Sequence, residues 1–454
     1  MATAVVIGAG IAGLLAARVL ADEFEKVLIV EKDNFPTHPS QVRKGLPQAH
    51  HQHILLLRGK QIFERLFPGF DAALEKMGAP LIDYSQQCEL YVPQGKLPKF
   101  PSELKIRPCR RAWIDWVLRD QLQAFPQVEW LSKTHVANPV FCSRNERVLG
   151  VVTDTGKKLA ADLVVDTAGK GSRLTKQLSS AGYEEPPKIE LDPRLGYASQ
   201  LFQFSEDAPA SCIEVAPHAP DCPRACGFWQ IDEQHSLLTL IGVDGHFPAK
   251  AKPGFDQFAQ KLMTPAVSQW MQQGKAVSDI QVFRGSKNRW YQYHKLKKVP
   301  AGLIVMGDAF CAFNPFHGQG MTVAALTAEV LQQYLQKGKR KHFSASWCRS
   351  FYKKAARQFY LPWLIALSED LRWPSVNAQY NRWWQRLLLN VSYQYMDRLL
   401  NLCQKDEALT KHCLSVANMV RSPWVLARPD ILIRVAQTGK VNQWEESNVD
   451  LYRT

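Results

Sequence analysis

Apolar and polar positions fall into blocks that lay out the chain before its composition is considered. Ala4-Val5-Val6-Ile7 is a short unbroken apolar run, the pattern of a strand buried on both faces. Gly8-Ala9-Gly10-Ile11-Ala12-Gly13 follows without a spacer, and Leu14 to Leu20 then reads as a helix. A second apolar run, Val27-Leu28-Ile29-Val30, ends in Glu31, 23 residues after Gly8. Two later runs, Leu163-Val164-Val165 and Leu303-Ile304-Val305-Met306, also lead into glycine-bearing turns. Residues 186–279 differ: strand-like runs such as Leu201 to Phe204 and Ser236 to Ile241 are cut by Pro and Gly, which predicts a β-sheet. Residues 346–454 read as helical.

The first block carries a specific chemistry. Strand, GxGxxG and helix in immediate succession form a dinucleotide turn: Gly8 allows the tight bend, Gly10 lets the backbone approach a pyrophosphate, and Gly13 lets the helix lie against the strand. Ile11 and Ala12 complete the turn, and the helix N-terminus faces the phosphates. Glu31, with Lys32 beside it, stands at the tip of the second strand, where an acid suits ribose hydroxyls and disfavours the 2′-phosphate of a resident NADP.

The two downstream turns argue for a larger nucleotide than NAD. Leu163-Val164-Val165-Asp166-Thr167-Ala168-Gly169 supplies one, with Gly169 as a candidate contact. The other runs from Gly307-Asp308 through Asn314-Pro315-Phe316-His317-Gly318-Gln319-Gly320-Met321 into a helix. Asp308 would meet ribityl hydroxyls. Pro315, Gly318, Gly320 and Met321 would lie at the flavin ring, where the amides of Gly318 and Gly320 stabilise the negative charge of a reduced flavin. All three turns must converge on one FAD.

At these residues the chain resembles the single-component FAD-dependent monooxygenases related to para-hydroxybenzoate hydroxylase. Arg43-Lys44-Gly45-Leu46-Pro47-Gln48 with His51, His53 and Leu56 is similar to a segment of the bacterial polyene epoxidases of polyether biosynthesis, distant relatives of squalene epoxidase. Arg111, in Cys109-Arg110-Arg111-Ala112-Trp113, matches a cofactor-binding arginine ahead of a helix, and Arg43 is expected at cofactor or substrate. Pro362-Trp363, Glu369-Asp370-Leu371-Arg372 and Arg421-Ser422-Pro423-Trp424 echo that subgroup's helical tail more loosely. The resemblance implies an α/β fold, with a Rossmann-like FAD-binding domain in three pieces (1–75, 105–185 and 280–345). A β-sheet substrate domain (76–104 and 186–279) and a helical C-terminal region (346–454) complete it. It further implies that NAD(P)H reduces FAD in passing and that the reduced flavin then reacts with O2, one oxygen atom going to a lipophilic alkene or aromatic. No side-chain nucleophile is required, and no catalytic residue is assigned. A flavin reductase of isoprenoid double bonds, as in geranylgeranyl reductases, shares the fold and stays open, as does a flavin-binding membrane-associated protein without turnover. The W-x-W-x-I-P segment of flavin-dependent halogenases is absent.

Composition narrows the picture further. At 454 residues, 46% of them hydrophobic and 22% charged, the chain can bury a large cofactor within two or three substructures. The net charge of +14 is spread along the chain, so a nucleic-acid partner is not expected, and no obligate protein partner is evident. The run Lys337 to Lys341 reads as a solvated helix end, with contact to an acidic membrane as the alternative. The ten scattered cysteines read as reduced thiols. With a strand starting at once and no apolar run of spanning length, the expected place is the cytoplasm, with peripheral membrane contact left open. His50, His51 and His53 lack the acids that would complete a metal site. Their alternatives are a place at the flavin or a structural role. The late tryptophans, Trp347, Trp363, Trp373, Trp383, Trp384, Trp424 and Trp444, read as packing or as a greasy channel for substrate.

Overall fold

A computed structural model describes residues 2–144, 146–204, 211–337, 343–377 and 383–439, without side chains for 337, 377 and 383–388. The basic run at 338–341 and Trp444 lie outside the described residues, as do the side chains of Trp383 and Trp384.

The first strand, Thr3–Ile7, lies at the centre of a five-stranded parallel sheet ordered Leu303–Val305, Leu163–Asp166, Thr3–Ile7, Lys26–Val30 and Val128–Leu131. Ala4, Val5 and Val6 are wholly buried, which is why this strand reads as an unbroken apolar run. The helix Ile11–Ala21 packs on the sheet and against the helix Gln319–Lys337. Gly13 makes that packing possible, because a Cβ there would stand 1.9 Å from the carbonyl oxygen of Gly8. This is the expected α/β, Rossmann-like layer.

The second layer is a larger, mainly antiparallel sheet. Gly196–Gln203, His235–Gly242, Arg224–Gln230 and Cys212–Val215 follow one another, and Cys88–Val92 joins Cys212–Val215 in parallel. The strand Gln281–Arg284 also pairs with Gly196–Gln203, so the sheet runs past the boundary at 279 drawn from the sequence. One face packs on the helices Lys252–Gln260 and Ala266–Gln273 through Phe202, Phe228 and Phe255. The opposite face carries Tyr197, Ser199, Leu201, Trp229, Leu237 and Thr239 by strict alternation with the first.

The C-terminal region is helical, with helices at Ala345–Asp370, Trp383–Cys403, Glu407–Ala417 and Pro429–Gln437. Among its described residues Trp363 and Trp373 are buried as packing, Trp363 standing 5.5 Å from Trp290 and 6.0 Å from Phe313, ring centre to ring centre. Asn418 ties this region to the cofactor layer by accepting, through its backbone and side-chain oxygens, from the amides of Arg58 and Leu57 at the start of the helix Leu57–Leu66. Among the described residues no helix is long and apolar enough to cross a membrane.

Candidate active site

The three glycine turns, far apart in sequence, meet at the carboxyl ends of the parallel strands. Thr167 stitches the second to the first, its hydroxyl lying 2.7 Å from the carbonyl oxygen of Ile7 and 2.9 Å from that of Gly8. Asp166 shapes the second turn by accepting from the amide of Ala168 and the hydroxyl of Ser172, and its own carbonyl accepts from the amide of Met306. The third turn closes on the first at Gly307 (φ +61°), where a Cβ would lie 2.5 Å from that of Ala12. Such an edge of an open α/β sheet is where nucleotides bind.

The crevice has the shape of a dinucleotide cradle. A Cβ added at Gly10 would meet no atom within 4 Å, unlike one at Gly8 or Gly13. The space a pyrophosphate needs is therefore open at the one glycine whose role is to admit it. Ile11 is buried and Ala12 half-buried at the first turn of the helix, and Lys32 is exposed.

Glu31 stands just past the strand Lys26–Val30 and is engaged within the protein. Its carboxylate is buried and accepts from the amide of Ala9 (2.7 Å), the amide of Asp33 (3.0 Å) and the guanidinium of Arg43 (2.9 Å). Arg43 also donates to the carbonyl of Ala9 at 2.9 Å. The pair clamps the glycine turn from outside, with Arg43 buried against Glu31. Its neighbours Phe35, Trp116 and Arg119 line a cavity beside Ala9.

Beside the second and third turns several buried polar atoms lack partners. Arg111 begins the helix Arg111–Leu122 and pairs with Asp115 at 3.1 Å, yet its Nε has no acceptor. Asp308 is half-buried at the mouth of the third turn with no hydrogen bond to its carboxyl among the described residues. Burial raises its pKa, while Lys170, Arg111 and Arg289 pull it down. Gly169 (φ +69°) has open space around it. Arg289 reaches the carbonyls of Lys170 and Asp308 at 3.3 and 3.5 Å.

The turn from Pro315 onward is a short 3-10 segment, Pro315–His317, followed by Gly318 in the left-handed region (φ +61°). The amide of Gly318 is used inside the turn, donating to the carbonyl of Pro315 at 3.0 Å, which corrects the expectation that it is free for a ligand. The amides of Gln319, Gly320 and Met321 stand in the first turn of the next helix, beyond reach of any intrahelical carbonyl. Pro315 and Gly320 are exposed and Met321 is buried. His317 Nε2, Gln319 Oε1 and Thr322 Oγ1 are all buried without partners, so polar atoms surround this turn ready for a polar ligand.

The three histidines divide. His51 is buried, bonds Ser199 Oγ through Nδ1 at 2.8 Å, and lies 5.9 Å from the rings of Tyr197 and Phe283. Gln52 donates its amide to Thr239 at 3.1 Å, and Ile54 lies against Gly318. The segment 51–54 thus bridges the large sheet and the third turn. Burial pushes His51 down to about 4 and His53 to about 3, with Arg111 adding to the second effect. Among the described residues no group of three metal-ligating side chains comes together.

Sequence reasoning missed Asn288, Ser199, Thr239 and Arg289, single polar residues inside strands. It also gave Asp370 no individual role. Periodicity gives such positions no signal; only their buried partners identify them.

Residues 3–139 match the family model of FAD dependent oxidoreductases, and residues 228–358 match that of squalene epoxidase. Among solved structures, Pseudomonas aeruginosa PqsL in complex with 2-aminobenzoylacetate superposes with a TM-score of 0.60 at 16% identity, covering 81% of this chain and 94% of its own. The flavin-dependent brominase Bmp2 superposes with a TM-score of 0.58 at 14% identity over 99% of this chain and 96% of its own, so that likeness takes in the C-terminal helices. The chain is an FAD-dependent oxidoreductase, an enzyme whose fold is shared with PqsL and Bmp2. Over nearly its whole length it is similar to the Mycobacterium tuberculosis protein Rv3254, at 29% identity across 452 residues, 95% of this chain and 92% of that one.

Proposed function

We propose that the enzyme uses NAD(P)H and O2 to place one oxygen atom on a lipophilic alkene or aromatic substrate, as an epoxide or a hydroxyl. The observation that carries this reading is the meeting of three separate glycine turns at one strand edge beneath a large sheet. It is supported by the squalene epoxidase match at residues 228–358.

FAD, when bound, supplies hydride acceptance and the activation of O2, which side chains cannot provide. The chain supplies position and electrostatics. Gly8, Gly10 and Gly13, with Ile11 and Ala12, would bring backbone amides and a helix N-terminus to the pyrophosphate. Glu31 and Arg43 hold that turn rigid, and Glu31 Oε1, which among the described residues accepts only from the amide of Asp33, would keep a lone pair for the ribose, with Lys32 beside it. Arg111, Gly169 and Asp308 would receive the middle of the cofactor. Pro315, Gly318, Gly320 and Met321 would face the ring, with the free helix amides favouring its anionic reduced form. The apolar Leu201, Leu237 and Trp229, together with Ile54, would cover substrate and exclude water. NAD(P)H would bind transiently, without a fold of its own. Trp424 and Ile433, 80% and 56% exposed, support passing contact of the C-terminal helices with a lipid surface, the source of such a substrate.

The test is product mass after incubating holoenzyme with NAD(P)H, ¹⁸O2 and a panel of lipophilic alkenes and phenols. One ¹⁸O atom per product molecule is expected. Gain of two hydrogens without ¹⁸O would instead establish the double-bond reductase.

A further inference from the structure

What fixes the shape of the Asn314–Gly318 turn lies on the last residue of a helix 56 residues downstream. Asp370 ends the helix Ala345–Asp370 and is buried. Its carboxylate accepts from the side-chain amide of Asn314 at 3.2 and 3.0 Å, and from the side-chain amide of Asn288. Asn288 in turn accepts the backbone amide of Asn314 at 2.6 Å, and Asn314 Oδ1 accepts from the amide of Phe316 at 3.2 Å, capping the turn. A single carboxylate therefore orients both asparagines that define where the turn begins.

The placement runs against ordinary helix electrostatics, since a negative charge at a helix C-terminus is repelled by the dipole. No cation pairs with Asp370 among the described residues. Its charged neighbours are Glu369 and Asp192, both acidic, and the hydroxyls of Tyr197 and Tyr393 also feel its charge. Burial, with Glu369 adding to it, pushes Asp370 up to about 7 against the pull of the two asparagines. The ionised group can accept all three amide bonds. The protonated group is a weaker acceptor and brings a hydrogen of its own into the cluster of amides, which loosens its hold on both asparagines.

We propose that Asp370 is a positioning residue for the flavin, acting through Asn288 and Asn314 to hold the Pro315–Met321 turn, so that its gain or loss of a proton changes the surroundings of the ring. This rests on the placement of that turn beside the flavin. His51, His53 and His317 are all pushed to about 4 or below and stay neutral across the relevant range. Glu214, raised by burial to about 7, lies on the large sheet bonded to Tyr84 and is untouched by changes at Asp370.

The experiment follows the visible spectrum and reduction midpoint of the FAD-loaded enzyme from about pH 5.5 to 8.5. The parent is expected to show a one-proton transition near neutrality. Asp370→Asn should retain FAD and lose that transition. Asn288→Ala, which keeps the carboxyl but removes one donor to it and the acceptor of the Asn314 amide, should move it to higher pH and serves if the first variant does not fold. An unchanged transition in both variants, or none in the parent, overturns the proposal. Gly320→Pro separates the two failures. If it perturbs the flavin while the other variants do not, Asp370 alone has been misassigned. If none of the three perturbs it, the placement of the turn beside the flavin falls as well.

Discussion

The nucleotide turn at residues 8–13 and the turn at residues 314–321 do related work by different means. The first takes its shape from its own backbone, three glycines at fixed spacing, one with a positive φ, one open to ligand and one pressed against a carbonyl, and is then buttressed by Glu31, Arg43 and Thr167. The second is held by side chains from elsewhere, with Asn288 and Asp370 reaching Asn314 from 26 and 56 residues away. A turn specified by its own glycines tolerates no added atom at Gly8 or Gly13, where backbone stands in the way. One specified by a buried polar network responds to protonation and to distant mutation.

The sharpest way to break the comparison is within the first turn. Gly13→Val should abolish cooperative folding, because the added Cβ would stand 1.9 Å from the backbone oxygen of Gly8, which cannot move aside, and 2.8 Å from the hydroxyl of Thr167 that ties the turns together; a loss above about 4 kcal/mol is expected. Thermal melting of the purified variant checks it, and a parent-like melt would contradict it. Gly10→Val should leave the melting of the apoprotein unchanged yet abolish FAD retention, since the added carbons occupy only ligand space. Equilibrium dialysis with FAD decides, and parent-like binding would remove the pyrophosphate from this turn.

Smaller effects sharpen the contrast at the other end. Asp308→Ala should weaken FAD binding by about tenfold, the loss of roughly one charge-assisted hydrogen bond, without altering the apoprotein fold. Flavin fluorescence titration measures this; a change under twofold would place the ribityl chain elsewhere. The smallest effect concerns pH. His51, His53 and His317 are neutral when folded because burial lowers them to about 4, 3 and 4, whereas in the unfolded chain they titrate near 6.5. The unfolded state therefore binds more protons below 6.5, and the stability these groups contribute is present above that pH and lost as pH falls toward 4. Denaturant titrations at stepped pH should show His51→Gln flattening this decline. A parent-like slope in that variant would show that His51 titrates normally.

The same contrast explains what could be read from the sequence. Thr3–Ile7, the glycine turn and the strand ending at Glu31 were legible because an unbroken apolar run and glycine spacing are local signals. The large sheet was legible from its alternation, down to Leu201 and Leu237. Glu31 and Arg43 were singled out separately, but their ion pair was not, because nothing in a pattern of residues says that positions 31 and 43 touch. Gly318 was correctly placed at a turn and wrongly given a free amide, since the carbonyl of Pro315 takes it. Asn288 and Asp370 were given no role at the turn because a buried polar residue in a strand or at a helix end gains meaning only from its partner.

The most direct test of convergence on one cofactor is the flavin content of the purified, FAD-reconstituted protein, measured after heat release by chromatography and absorbance. One FAD per chain is expected in the parent, and none in Gly10→Val. Stoichiometric FMN or NAD in place of FAD, or full FAD content in the variant, would contradict it.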